Sequence, residues 1–256
     1  MRKKILKSFD WKYFTFAKKR LEFLFKQFKI IQNDSVFKIG TDSIILGSWV
    51  NLENADNILD VGCGTGVLSV MAAQREVKAF VLGIDVQKDA ADLSFLNFQN
   101  APFSDRLKVV NEHFIQISNT SNLKFDYIIS NPPYFSSGEA SKQRNLGIAR
   151  HNSALPIIEF WNCVNKISSK STKVGLIYPY AEAQICIING MEMGWNVHRR
   201  LNIYPKETEI NGINPKRVAL EFSKKNLPFE VEDLFILAKN GHYTKAYKDL
   251  TKDFYL

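Results

Sequence analysis

The chain has 256 residues, 45% of them hydrophobic and 23% charged, a balance that excludes a disordered polypeptide and suffices for one large core. No apolar run reaches the roughly 18 residues of a membrane span, and the opening MRKKILKSFDWKYF lacks the apolar stretch of a secretory leader, so a cytoplasmic protein with no membrane contact is expected. The formal net charge of +8 points to an acidic partner.

That charge is not spread evenly. Through Lys29 the chain carries ten basic residues and two acidic ones, and the remaining 24 basic and 24 acidic residues cancel. Phe9, Trp11, Tyr13, Phe14, Phe16, Phe23, Phe25 and Phe28 are interleaved with the cations. Such a segment suits a polyanion whose bases can stack, with Lys3, Lys4, Lys18, Lys19 and Arg20 as candidate phosphate contacts. The alternative is a tail whose aromatic side chains dock on the body of the protein. Residues 1–24 are read as a basic, aromatic extension and residues 25–256 as the main domain.

From residue 58 the pattern alternates. ILDVG reads as a strand and VLSVMAAQR as a helix; AFVLGID is a strand and KDAADLSFLNFQN a helix. RLKVVNEH and FDYIIS are strands, LPIIEFWNCVNKI is a helix, KVGLIYP a strand, AEAQICIINGMEM a helix, and GWNVHRRLNIYP and KRVALEFSKK two closing strands. Alternation of this kind gives a parallel sheet with helices on both faces. The last two strands are joined by KETEINGINP, too short for a crossover, so they should pair antiparallel. The expected class is α/β: a Rossmann-like, seven-stranded, mostly parallel sheet with an antiparallel C-terminal strand. Cys63, Cys163 and Cys186 are too scattered for a disulfide framework. The histidines His113, His151, His198 and His242 fall at no ligand spacing, so no metal is expected. A monomer is expected.

LDVGCGTG lies between the first of these strands and its helix, the context a ligand-binding glycine loop needs. Gly62, Gly64 and Gly66 allow close approach to the backbone, but Val67 stands where a dinucleotide loop has its third glycine. No Lys-Ser/Thr follows, so no triphosphate cradle is indicated. Asp60 precedes the loop, and Asp85 ends the next strand, where an acid can hold two ribose hydroxyls. A nucleoside without phosphates fits, and S-adenosylmethionine is one. Both acids also have bland readings, as a turn stabiliser and a solvated strand end.

FDYIIS is followed by Asn131, Pro132, Pro133 and Tyr134. Two prolines cannot continue a strand, so the chain turns at the same crevice. An amino group conjugated to a ring or carbonyl is a poor nucleophile, and acceptors placed on its N–H groups help it pyramidalise. The Asn131 side-chain oxygen and the Pro132 carbonyl are such acceptors, Pro133 stiffens the turn, and Tyr134 offers a face for stacking. Rate would come from alignment and preorganised dipoles rather than from a general base.

The pairing of DVGCGTG with NPPY resembles the class I amino-methyltransferases. FKQFKIIQNDSVFKIGTDSIILGSWV (Phe25–Val50), QRNLGIARHN (Gln143–Asn152) and YTKAYKDLTKDFYL (Tyr243–Leu256) are similar to the bacterial valine-tRNA adenine-37 N(6)-methyltransferases. The resemblance implies transfer to an adenine of tRNA, with Lys38, Gly40, Thr41 and Asp42 closing the donor pocket and Asn131 and Tyr134 holding a flipped base. It makes Arg144 and Arg150 candidates for anticodon-stem phosphates. Where this family often has an acid touching the donor's adenine, the chain reads NEHF, so Glu112 and His113 compete for that place. Val86, after Asp85, Phe114, after His113, and Asn131, shared with the substrate side, complete the candidate donor set. A protein glutamine methyltransferase shares the NPPY chemistry, and an inactive donor-binding RNA module is a further alternative.

Overall fold

The computed structural model describes residues 21–36, 38–132, 155–207 and 213–255. The expectations resting on Lys3, Lys4, Lys18, Lys19, Arg20, Pro133, Tyr134, Arg144 and Arg150 lie outside these residues.

The described chain begins with a hairpin, β1 (Leu21–Leu24) and β2 (Lys29–Gln32), followed by helix α1 (Thr41–Trp49). The parallel unit then alternates β3 (Asn57–Val61), α2 (Val67–Arg75), β4 (Phe80–Asp85), α3 (Lys88–Asn100), β5 (Leu107–Asn111), α4 (Phe114–Thr120) and β6 (Phe125–Ser130). It continues through α5 (Ile157–Ile167), β7 (Ser168–Pro179), α6 (Tyr180–Glu192), β8 (Asn196–Lys206), β9 (Arg217–Ser223), β10 (Glu230–Leu237) and α7 (Lys245–Thr251).

The large sheet has the order β10-β8-β9-β7-β6-β3-β4-β5. The interior strand β3 is buried on both faces, with Ile58, Leu59 and Asp60 wholly buried, as happens in a strand covered by helices on either side. One core joins α1, α2, the Phe98 side of α3 and the C-terminal segment; the other joins α4, α5 and α6. The α/β class, the helices on both faces and the antiparallel pairing of β8 with β9 are as expected. The strand count is corrected from seven to eight. β10 adds beside β8 in parallel, so β9 is the reversed strand within the sheet and not its last. Its sequence, EVEDLFIL, mixes acids with apolar residues, a pattern suited to an exposed edge.

The hairpin straddles the boundary expected at residues 24 and 25, because Leu21–Leu24 pair with Lys29–Gln32. Phe25 stacks on Phe28 at 4.4 Å and, more distantly, on Tyr255 at 6.4 Å. The Lys26 N–H donates to the Phe254 carbonyl at 2.9 Å. Phe23, Phe25 and Phe28 thus dock on the body.

Two fastenings hold α1 at its C-terminal end. Trp49 Nε1 donates to Glu232 of β10 at 2.9 Å, and the Arg199 guanidinium lies over the Trp49 ring at 4.5 Å. Arg199 also pairs at 2.9 Å with the fully buried Glu221, whose other oxygen accepts from Tyr127 Oη at 2.6 Å. A buried carboxylate needs such partners, since desolvation would otherwise expel it.

Candidate active site

From β3 the chain moves outward through β4 to β5, then returns so that β6 lies on the other side of β3. Ligands bind at this reversal, outside the carboxyl ends of the strands. The segments that open there are Gly62–Gly66 after β3, Asp85–Val86 at the end of β4, Glu112–His113 after β5, and Asn131–Pro132 after β6. Ser130 Oγ donates to the Val61 carbonyl at 2.7 Å, so the two central exits are tied together.

Gly62 and Gly64 have φ of 73° and 57°, left-handed values that favour glycine, and a Cβ on either would meet nothing within 4 Å. Gly66 differs, because a Cβ there would approach Phe98 Cε1 to 2.5 Å. Its role is tight packing of the loop on α3. Asn97 of α3 secures the loop from below, donating to the Thr65 carbonyl at 2.8 Å while exchanging hydrogen bonds with the Ile31 backbone.

Asp60 is fully buried. Its Oδ2 accepts from Ser69 Oγ at 2.7 Å, and its Oδ1 has no hydrogen-bond partner. Burial pushes its carboxyl up from 3.8 to about 7, opposed by the Ser69 hydrogen bonds and reinforced by Asp85. Asp85 accepts from Gly64 N–H through Oδ2 and from Gln87 N–H through Oδ1, each at 2.9 Å. Burial raises its pKa too, and those two N–H groups counter the rise. Two acids beside a loop without a cation disfavour a phosphate. The half-satisfied Asp60 carboxyl, the open space at Gly62 and Gly64, and a strand-end carboxylate fit a cationic nucleoside, so S-adenosylmethionine suits the residues present.

The other residues of the donor set divide. Val86 is exposed. Asn111 Nδ2 donates to the carbonyls of Asp85 and Val86, which fixes that strand end. The Glu112 carboxylate accepts the His113 N–H at 2.8 Å, and His113 Nδ1 accepts from Ile115 N–H as the cap of α4. His113 therefore has a helix-capping task, and β5 ends at Asn111, two residues before the expected limit. Phe114 is buried against Phe160, with ring centroids 5.7 Å apart. Lys38 is exposed and lies 3.8 Å from Asp34.

Gly40 caps α1 with extended backbone, and Thr41 opens the helix exposed to solvent. Asp42 pairs at 2.9 Å with Arg217, the first residue of β9. Asn131 Nδ2 donates to Ser43 Oγ at 2.9 Å. Sequence reasoning does not find Arg217 or Ser43. The one signal for Ser43 is its position after Thr41-Asp42, and Arg217 has none, since it reaches α1 only through β9 running backwards.

Among the described residues no group of three or more His, Cys, Asp or Glu side chains converges as a metal site. No described helix is long and apolar enough to cross a membrane.

The Methyltransferase small domain family matches residues 27–150. A tRNA1(Val) (adenine(37)-N6)-methyltransferase of Histophilus somni strain 129Pt is 34% identical over 241 residues, 93% of this chain and 98% of that protein. Enzymes of the same name from Trichodesmium erythraeum and Bacteroides thetaiotaomicron are 32% and 31% identical, over 92% and 91% of this chain and 98% and 97% of theirs. Among solved structures, a predicted O-methyltransferase of Agrobacterium tumefaciens superposes with a TM-score of 0.64 at 18% identity, over 83% of this chain and 96% of that one, a likeness of fold alone. Sharing this identity with such relatives along nearly its whole length, the chain belongs to the tRNA1(Val) (adenine(37)-N6)-methyltransferase family.

Proposed function

We propose that this protein methylates the exocyclic N(6) amino group of adenine 37 in a valine tRNA, with S-adenosylmethionine as donor, acting as a cytoplasmic monomer. The observation that carries the reading is the joining of two exits. Asn131–Pro132 leaves β6 beside the Gly62–Gly66 loop, and the Ser130–Val61 hydrogen bond keeps them adjacent.

The donor supplies an electrophilic methyl group on a sulfonium. Gly62 and Gly64 admit its amino-acid portion to the backbone, Asp85 receives the ribose hydroxyls, and the Asp60 carboxyl presents its unpartnered Oδ1 beneath the loop. Asn131 Oδ1 and the Pro132 carbonyl accept the two N–H bonds of the adenine amine, which draws the nitrogen lone pair out of conjugation. Neither acceptor takes a proton: as the nitrogen lone pair takes the methyl group the sulfur would leave as a neutral thioether, and the surplus proton on nitrogen then passes to solvent. Tyr134 stacks on the base, Pro133 keeps the turn rigid, and Arg144 and Arg150 meet phosphates. Residues 25–256 form the transferring domain. Residues 1–24 extend the footprint on tRNA through Lys3, Lys4, Lys18, Lys19 and Arg20, a salt-sensitive contribution.

The test is transfer of labelled methyl to an unmodified valine tRNA transcript, followed by nucleoside mass spectrometry. N(6)-methyladenosine at position 37, abolished when that base is guanine, is the expected result. Labelling of release factor instead would transfer the reading to protein glutamine.

A further inference from the structure

The first turn of α1 has no side-chain cap of its own, because Gly40 occupies the capping position. Two side-chain bonds to distant strands tie this turn down. One is the Asp42–Arg217 ion pair at 2.9 Å, which reaches β9. The other is the hydrogen bond from Asn131 Nδ2 to Ser43 Oγ at 2.9 Å, which reaches the end of β6. Ser43 is half-buried, and its neighbours Ile44 and Ile45 are fixed in the core.

An amide side chain has a donor edge and an acceptor edge, and only one of them suits an amino group. With Nδ2 engaged by Ser43, Oδ1 stands on the opposite edge of the amide. If the amide were reversed, Nδ2 would meet the N–H groups of the substrate, donor against donor. We infer that Ser43 is a positioning residue for methyl transfer: its hydroxyl accepts from Asn131 Nδ2 and anchors the amide, with the oxygen edge turned to the substrate amine. The inference rests on the proposed role of Asn131.

The experiment compares Ser43→Val with Ser43→Thr in the full-length protein on unmodified valine tRNA. The two replacements have nearly the same shape and differ in the hydroxyl. Ser43→Val should lower the single-turnover rate about tenfold or more while KM for tRNA and Kd for S-adenosylmethionine stay within about twofold, the signature of an interaction needed at the transition state. Ser43→Thr should restore the rate to within about threefold of the parent, because its oxygen can accept the same bond. If Ser43→Val disturbs folding, Ser43→Ala removes the hydroxyl without added bulk and should show the same split. An unchanged rate without the hydroxyl overturns the inference, as does equal impairment by threonine or a parallel loss of donor affinity. If the parent chain methylates no tRNA, the proposed function fails and this inference fails with it. A normal parent with an unimpaired valine variant removes the inference alone.

Discussion

Gly64 donates its backbone N–H to Oδ2 of Asp85 at 2.9 Å, so the glycine loop after β3 and the acid ending β4 form one unit. The loop is thereby shaped before any donor arrives, and the carboxylate stays oriented by a second N–H, from Gln87.

Asp85→Ala removes both the proposed ribose contact and the anchor of Gly64. Hydrogen bonds to a charged group contribute roughly 1.5–3 kcal/mol, so Kd for S-adenosylmethionine should rise by about 10- to 100-fold. Isothermal calorimetry reads this directly. Unaltered affinity would mean that the ribose is held elsewhere.

Asn131→Ala should act on the chemical step. By comparison with the loss of one preorganised dipole in other enzymes, turnover should fall by about 100-fold or more. Donor affinity should remain within about threefold, because the side chain serves the amine. Normal turnover in this variant would sink the proposed mechanism.

Asp60 gives the protein a pH-dependent stability. Its folded pKa of about 7 lies above the ordinary 3.8, so between these values the folded state keeps a proton that the unfolded state has released. Stability from this group is complete below the unfolded pKa, declines as pH rises through the window and is gone above about pH 7. At about 1.4 kcal/mol per pH unit the total is at most about 4 kcal/mol. Asp60→Asn keeps an acceptor for Ser69 and removes the titration. Denaturant midpoints of the two proteins should therefore diverge in favour of the variant as pH rises from about 4 to about 7. A difference independent of pH would show that Asp60 does not titrate there.

Removing residues 1–20 leaves the β1–β2 hairpin intact and deletes eight basic residues against one acidic residue. Affinity for tRNA should drop, and the slope of log K against log salt should become shallower by about 0.7–0.9 for each phosphate that the arm neutralises. Filter binding across a salt series measures it. An unchanged slope would mean that the arm touches no phosphates.

Much of this architecture is written in local periodicity. KDAADLSFLNFQN and FDYIIS coincide with α3 and β6 because each carries one continuous pattern, helical in the first and largely apolar in the second. β10 escapes such reading because its acids suit an edge, a property that only the neighbouring strand defines. α4 escapes it because the helix is short and its cap, His113, lies inside the stretch expected as strand. The glycine loop, Asp60 and Asp85 are legible as types at fixed spacing. Ser43 and Arg217 are not, since their partners lie 88 and 175 residues away. An interaction of that range leaves no periodic trace.

The reversal of β9 has a consequence for how this protein tolerates change. Every parallel strand delivers its last residue to one end of the sheet, but β9 delivers its first, Arg217, to that end. The preceding Lys216 is pinned from two sides, its N–H donating to Ile203 and its carbonyl accepting from Tyr180 N–H. The connection from β8 can therefore vary in length ahead of Lys216 without moving the cation that grips Asp42. Inserting even one residue after Lys216 would shift the register of β9 and swing Arg217 to the other face of the sheet. The boundary between adaptable surface and fixed machinery thus falls at a single peptide bond.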